Sequence, residues 1–183
     1  LDYERLLGRV QYDRIELETV RRWERDPGYY LDRIAEGLDG LASRRFAPAS
    51  TRLARLIERE KAISPLLAAA LENISQPPRP WVELALRKAD GLLVTLESEL
   101  PAAFAEVTDP ALQAEFQVVN AAARKEIESF RGWIKDDLLP GATADFALGS
   151  ETMQKEIAAR EGCEATLFRL ERLATDDLAA LKL

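Results

Sequence analysis

Histidine is absent from the 183 residues, and that omission removes several kinds of chemistry. A His-Glu-x-x-His zinc site needs two imidazoles on one helix face. A ferritin-like di-iron site needs Glu-x-x-His pairs. A serine or cysteine nucleophile activated by histidine needs the imidazole base. Cysteine is nearly absent as well. The single Cys163 cannot form an intrachain disulfide, and alone it cannot build a structural zinc site. Nor is there an apolar run of the roughly 20 residues that a membrane helix requires, and no signal peptide is visible. No segment alternates polar and apolar over a strand length, and no internal repeat stands out.

What is present favours helix. The chain is 47% hydrophobic, enough to form a core, and Ala and Leu dominate that fraction while β-branched residues are few. The net charge of −7 is unevenly spread. Residues 1–79 carry 14 basic and 13 acidic side chains, whereas residues 80–183 carry 11 and 19. An acidic second part argues against a nucleic-acid partner and against an anionic membrane surface.

Periodicity and punctuation predict an all-α fold, an antiparallel bundle of about seven to eight helices in one domain over 1–183. A first helix is expected from about Asp2 to Arg25, with Tyr3, Leu7, Val10, Leu17 and Val20 inward. Asp26-Pro27-Gly28 ends it. A short helix follows over about Tyr29 to Leu41, then a loop from Arg44 to Pro48. The next helix begins near Ala49 on Leu53, Leu56 and Ile57. Ser64-Pro65 predicts a break, with Ser64 capping a fresh helix that buries Leu67, Ala70, Leu71 and Ile74.

The run Ser75-Gln76-Pro77-Pro78-Arg79-Pro80 cannot be helix interior. After it, Trp81, Leu84, Ala85, Ala89, Leu92 and Leu96 form the inward stripe of a long helix that Pro101 kinks or ends. Asp109-Pro110 caps the next one. Its apolar stripe, Leu112, Phe116, Val119, Ala123, Ile127, Phe130, Ile134 and Leu138, advances in steps of three and four residues, the period of one helix face. Pro140-Gly141 stops it, and 140–149 reads as an irregular linker. Ser150 is expected to cap a helix to about Arg160 with Glu161-Gly162 as its exit. A last helix is expected from about Glu164, burying Leu167, Leu170, Ala174, Leu178 and Leu181.

Few residues suggest chemistry. Glu126 with Glu128, and Asp136 with Asp137, are near neighbours, but on a helix such spacings point apart. Glu83, Glu97 and Glu99 fit a solvated face. Gly37-x-x-Gly40 lacks the preceding strand of a phosphate loop. Trp23, Tyr29, Tyr30, Trp81, Phe130 and Trp133 suit either ligand stacking or helix packing. Arg79, between prolines, suits either a substrate carboxylate or the end of a preceding helix.

Three segments, in order and spacing, carry a resemblance. They are Arg22-Trp23-Glu24-Arg25-Asp26-Pro27-Gly28-Tyr29-Tyr30-Leu31, Asn73-Ile74-Ser75-Gln76-Pro77-Pro78-Arg79-Pro80-Trp81-Val82-Glu83, and Leu138-Leu139-Pro140-Gly141-Ala142-Thr143-Ala144-Asp145-Phe146-Ala147-Leu148-Gly149. Together they resemble the N-terminal half of the bacterial family called domain of unknown function 885. That resemblance implies a relation to zinc-dependent metallopeptidases of the zincin kind, whose His and Glu ligands lie downstream of the matched region. An N-terminal helical region in that family packs over the catalytic part and helps wall a deep cleft. No ligand or catalytic residue has a counterpart here, so the resemblance implies no catalytic residue, metal or cofactor in this chain.

The expected role is therefore to shape the substrate cleft of a catalytic half, with Tyr30, Arg79 and Trp81 as candidate cleft-facing residues. The start at Leu1 rather than Met fits a piece of a longer protein, so a secretion signal is not excluded and either a bacterial cytoplasmic or an exported location fits. The partner would be the missing C-terminal catalytic domain, or a second copy. The alternative is a stand-alone helical interaction module.

Overall fold

A computed structural model describes residues 2–162 and 166–181. Among the described residues there is no β-strand, and the fold is all-α. The helices are α1 (Asp2–Ile15), α2 (Arg22–Arg25), α3 (Pro27–Ser43), α4 (Ala49–Lys61), α5 (Ile63–Asn73), α6 (Arg79–Val94), α7 (Leu100–Ala103), α8 (Pro110–Trp133), α9 (Ser150–Glu161) and α10 (Leu167–Leu181). Setting aside the single turns α2 and α7, the described helices make seven or eight rods, depending on whether α4 and α5, parted by Ala62 alone, count as one. Packing divides the chain into two compact units, residues 23–146 and residues 1–22 with 147–183.

The larger unit is a ring of four long helices. α3 packs on α4 and α6, and α8 packs on α4 and α6 to close it. Arg124 and Arg131 of α8 pair with Glu97 and Asp90 respectively, so α8 runs antiparallel to the α6 rod. α3 and α6 run the same way: Asp32, early in α3, pairs with Lys88. At the far end Arg52, which bonds to Leu41 at the end of α3, lies over the Phe104 ring beyond α7. α5 and the proline run carry the chain back and permit this parallel pairing. Leu53, Leu56, Leu96, Phe104, Ile127 and Ile134 are among the fully buried side chains.

α8 follows the sequence closely. The Asp109 carboxylate accepts from the backbone N–H of Ala111 at 3.0 Å and Leu112 at 3.1 Å. With Pro110 at the first position, this occupies N–H groups that a helix start leaves without partners. Phe116, Ala123, Ile127, Phe130 and Ile134 are buried, and Leu112, Val119 and Leu138 are partly so. One π-helical turn, Ile134–Leu138, and the short 3-10 turn Leu139–Gly141 finish the rod.

Pro101 does not itself end its helix. The π-helical turn Thr95–Glu99 precedes it, and α7 continues one more turn to Ala103. A proline ring crowds the carbonyl four residues back; the wider turn relieves that crowding.

Several expectations are corrected. The break after α4 falls at Ala62, two residues before Ser64, and Ser64 makes no cap because α5 has already begun at Ile63. Leu71 is exposed while Leu67, Ala70 and Ile74 are buried. In α6 the buried stripe runs through Val82, Ala85, Ala89, Leu92 and Leu96. Trp81 is half-buried and Leu84 exposed, because Val82 rather than Trp81 begins the stripe. Gly149, with φ of 79°, takes the start of α9 that Ser150 was expected to cap. Gly162 closes α9 in the left-handed region as its exit. Cys163 and Glu164 lie outside the described residues.

The smaller unit has a thinner interior. The first helix does not run through to Arg25: a π-helical turn, Glu16–Val20, follows α1, and Arg21 turns left-handed at φ 53°. Tyr3, Leu7, Val10 and Leu17 are exposed, not inward; only Val20 of that expected stripe is buried. Leu178 and Leu181 of α10 are likewise exposed. α1 packs on α9, and the approach is closest at Gly8, where a Cβ would lie 2.5 Å from the Ala159 carbonyl oxygen. Polar contacts supplement this packing. The Tyr12 hydroxyl donates to Glu16, and Arg22 sits 3.1 Å from the same carboxylate. Burial and the neighbouring Glu16 raise the Glu156 carboxyl above its usual range.

Two outcomes follow. Gly8→Ala should cost about 1–3 kcal/mol within the smaller unit, the usual cost of overpacking. Hydrogen exchange should quicken in residues 2–15 and 150–161 while the ring of α3, α4, α6 and α8 stays protected. Asp109→Ala should lower stability by about 1 kcal/mol, read from the midpoint of urea unfolding.

Candidate functional site

The most organised polar cluster lies at one junction in the larger unit, and its parts come from three distant stretches of chain. The first is the turn between α2 and α3. Asp26 caps α3 through the N–H of Gly28 at 2.8 Å, and Pro27 takes the first helical position. Gly28 is there for clearance: a Cβ would sit 2.9 Å from the Asp26 carboxylate and 3.3 Å from the Lys88 amine. That amine reaches past to Asp32 at 2.6 Å.

The second stretch is the end of α5 and the proline run. The Ser75 N–H donates to the Glu24 carbonyl at 2.8 Å, tying the run to α2. Asn73 donates to the Tyr30 hydroxyl at 3.0 Å, and that hydroxyl donates to the Trp23 carbonyl at 2.7 Å. Burial is the main cause that raises the Tyr30 hydroxyl above its usual value, so it serves as a neutral donor. Tyr29 meets Tyr30 edge-on, with ring centres 5.4 Å apart.

The third stretch follows α8. Arg25 donates to the Asp145 carbonyl at 2.5 Å, and Ala144 makes an isolated parallel bridge with Pro78. The Arg25 guanidinium also lies over the Trp81 ring, 5.5 Å from its centre. One arginine thus joins α2, α6 and the loop after α8. Ala142 beneath is buried, whereas Phe146 is exposed.

The three candidate residues have different places here. Tyr30 is 4% exposed and spends its hydroxyl inside the junction. Trp81 is half-buried against Arg25. Arg79 is exposed and reaches Glu83, one helical turn on, at 2.9 Å. A guanidinium stacked on an indole can hold a carboxylate or an apolar side chain. Among the described residues, no group of three or more His, Cys, Asp or Glu side chains could hold a metal ion. No helix among them is long and apolar enough to cross a membrane.

These contacts join the very segments that carried the family resemblance. A family model described as "Bacterial protein of unknown function (DUF885)" matches residues 1–182. The chain belongs to this family. No curated protein and no solved structure matches it. The DUF885 segments around Trp23–Tyr30, Asn73–Trp81 and Ala142–Phe146 are thus one assembly in space, although about forty to sixty residues separate each from the next.

Sequence reasoning missed a second group in this DUF885 chain. Glu60, on the last turn of α4, is 2% exposed, and Asn120 of α8 is 7% exposed. Asn120 donates to one Glu60 oxygen at 2.8 Å, and the other oxygen has no hydrogen-bond partner among the described residues. Burial pushes the Glu60 carboxyl up to about 7, against the Asn120 hydrogen bond. The signal was in the pattern. Glu60 continues the stripe Leu53, Leu56, Ile57, and Asn120 falls between Phe116 and Ala123. Each is a polar residue at an apolar position.

Tyr30→Phe should remove the donor to Trp23 and strand the Asn73 amide. A loss of about 1–3 kcal/mol is expected, measured by thermal unfolding and accompanied by faster amide exchange at Ser75.

Proposed function

We propose that this chain is the non-catalytic N-terminal helical part of a zinc metallopeptidase-like protein, and that it shapes the substrate cleft of a catalytic half carried on other residues. The observation that carries the reading is the meeting of all three family segments at one junction of the larger unit. Segments that serve only as helix connections have no need to converge; segments that present a common surface do. The family match over residues 1–182 is compatible with this reading along the whole chain. Since the chain has no histidine, imidazole ligands to zinc would come from elsewhere. On this reading Arg79 and Trp81 face the cleft and meet substrate carboxylate or apolar groups. Tyr30 supports them from beneath.

A second reading, a helical interaction module, has one observation in its favour. Tyr3, Leu6 and Val10 of α1 and Phe168, Leu178 and Leu181 of α10 are exposed, and large apolar patches commonly mark interfaces.

The test uses the full open reading frame. The full-length product should cleave members of a peptide panel only with zinc bound. Arg79→Ala in it should raise KM about tenfold with kcat little changed, the size expected for one lost charge-assisted contact. Zinc binding with peptide turnover by the isolated chain would sink the proposal, as would a full-length enzyme indifferent to Arg79. Light scattering addresses the second reading, which expects self-association that Tyr3→Ser and Phe168→Ser abolish.

A further inference from the structure

Glu60 stands apart because it is buried at a helix contact and, among the described residues, no cation pairs with it. Its neighbour Lys61 is held by Glu58 at 2.8 Å and by Glu115 of α8 at 2.9 Å. On α8 Arg124 is drawn off to Glu97. Neither Glu72 on α5 nor Tyr29, Tyr30, Asp32, Arg33, Glu36 or Asp39 on α3 contributes to the shift of the Glu60 carboxyl. Asn120 is its hydrogen-bond partner, and one oxygen has none among the described residues. The site is also the C-terminal turn of α4, where the helix presents its carbonyls. That end of the helix dipole disfavours an anion. A charge here must find water or leave.

The surrounding backbone offers a way out. Ala62 alone parts α4 from α5, and its N–H turns back to the carbonyls of Arg59 and Glu60. This is a one-residue joint directly beside the buried carboxyl.

We propose that the contact between α4 and α8 at Glu60 and Asn120 is a pH-sensitive latch, closed while Glu60 keeps its proton and opened locally at the Ala62 joint when the proton is lost. The direction follows from linkage. The folded chain holds this proton up to about 7, whereas an ordinary glutamate releases it near 4.5. The stabilisation is whole below the ordinary value. It is lost as pH rises toward and through about 7, and levels off above that.

Hydrogen exchange by mass spectrometry, corrected for the intrinsic pH dependence, tests this on the full chain. Between pH 6 and pH 8.5 the opening of residues 56–64 and 116–124 should increase about tenfold, with α6 unchanged. Glu60→Gln, which mimics the protonated carboxyl, should abolish the increase. The same increase in the variant, no increase in the parent, or an increase spread evenly through α6 would overturn the latch. Carboxyl-carbon NMR of the unmodified chain gives an independent reading. A Glu60 midpoint near neutrality supports the proposal, and one near 4.5 overturns it even if the variant does not fold.

Discussion

The burial of one helix face organises the larger unit. The stripe from Leu112 to Leu138 is too long to be covered by any single neighbour, so α4 and α6 take opposite sides of it. Once those are placed, α3 has one remaining position, across the ring from α8 and against both. The α5 segment and the proline run then have to return the chain so that α6 can start beside α3. Much of the polar structure serves this arrangement. Arg52 is 4% exposed because the end of α3 leaves carbonyls inside the ring: its guanidinium donates to Leu41 at 2.6 Å, to Ala42 at 3.2 Å and to Ala47 at 3.2 Å. A charge is tolerated there because it meets the negative end of a helix dipole and the Phe104 ring.

What could be read from residue order was whatever depends on neighbours along the chain. Asp109-Pro110 caps its helix as its chemistry requires, since a cap uses groups two or three residues away; Asp26-Pro27-Gly28, read only as the end of a helix, caps α3 by the same means. The α8 stripe was legible for the same reason. The stripes assigned to α1 and α10 misled because amphipathicity says that a face is apolar and not that anything covers it. Trp81 misled in the opposite sense. Its size suggested an inward residue, but Val82 starts the stripe and Trp81 is left to Arg25, which comes from a helix more than fifty residues earlier.

The junction was half legible. Its segments could be named because they resemble a family, yet nothing in them indicated that they touch. The contacts are mostly from backbone groups, as at Ser75 with Glu24 and Arg25 with the Asp145 carbonyl, and backbone groups leave no mark on residue identity. Tyr30 shows the limit most clearly. A tyrosine at the start of a helix reads as a stacking surface, whereas here its hydroxyl is the knot between α2, α3 and α5.

The π-helical turn at Thr95–Glu99 ties the phase of the chain to its length. It holds one residue more than an α-helical path of the same span would use. Removing one residue there would leave an ordinary α-helix over the same span, and everything beyond would keep its phase. Leu100 and Phe104 would stay sealed in the ring, and the Gln113 amide would keep the Phe104 and Val107 carbonyls that it holds at 2.7 and 3.2 Å. The same deletion inside the regular α6 turns would rotate everything beyond it by about 100°, so a one-codon deletion should be easier for this fold to absorb at the π turn than anywhere else along that rod.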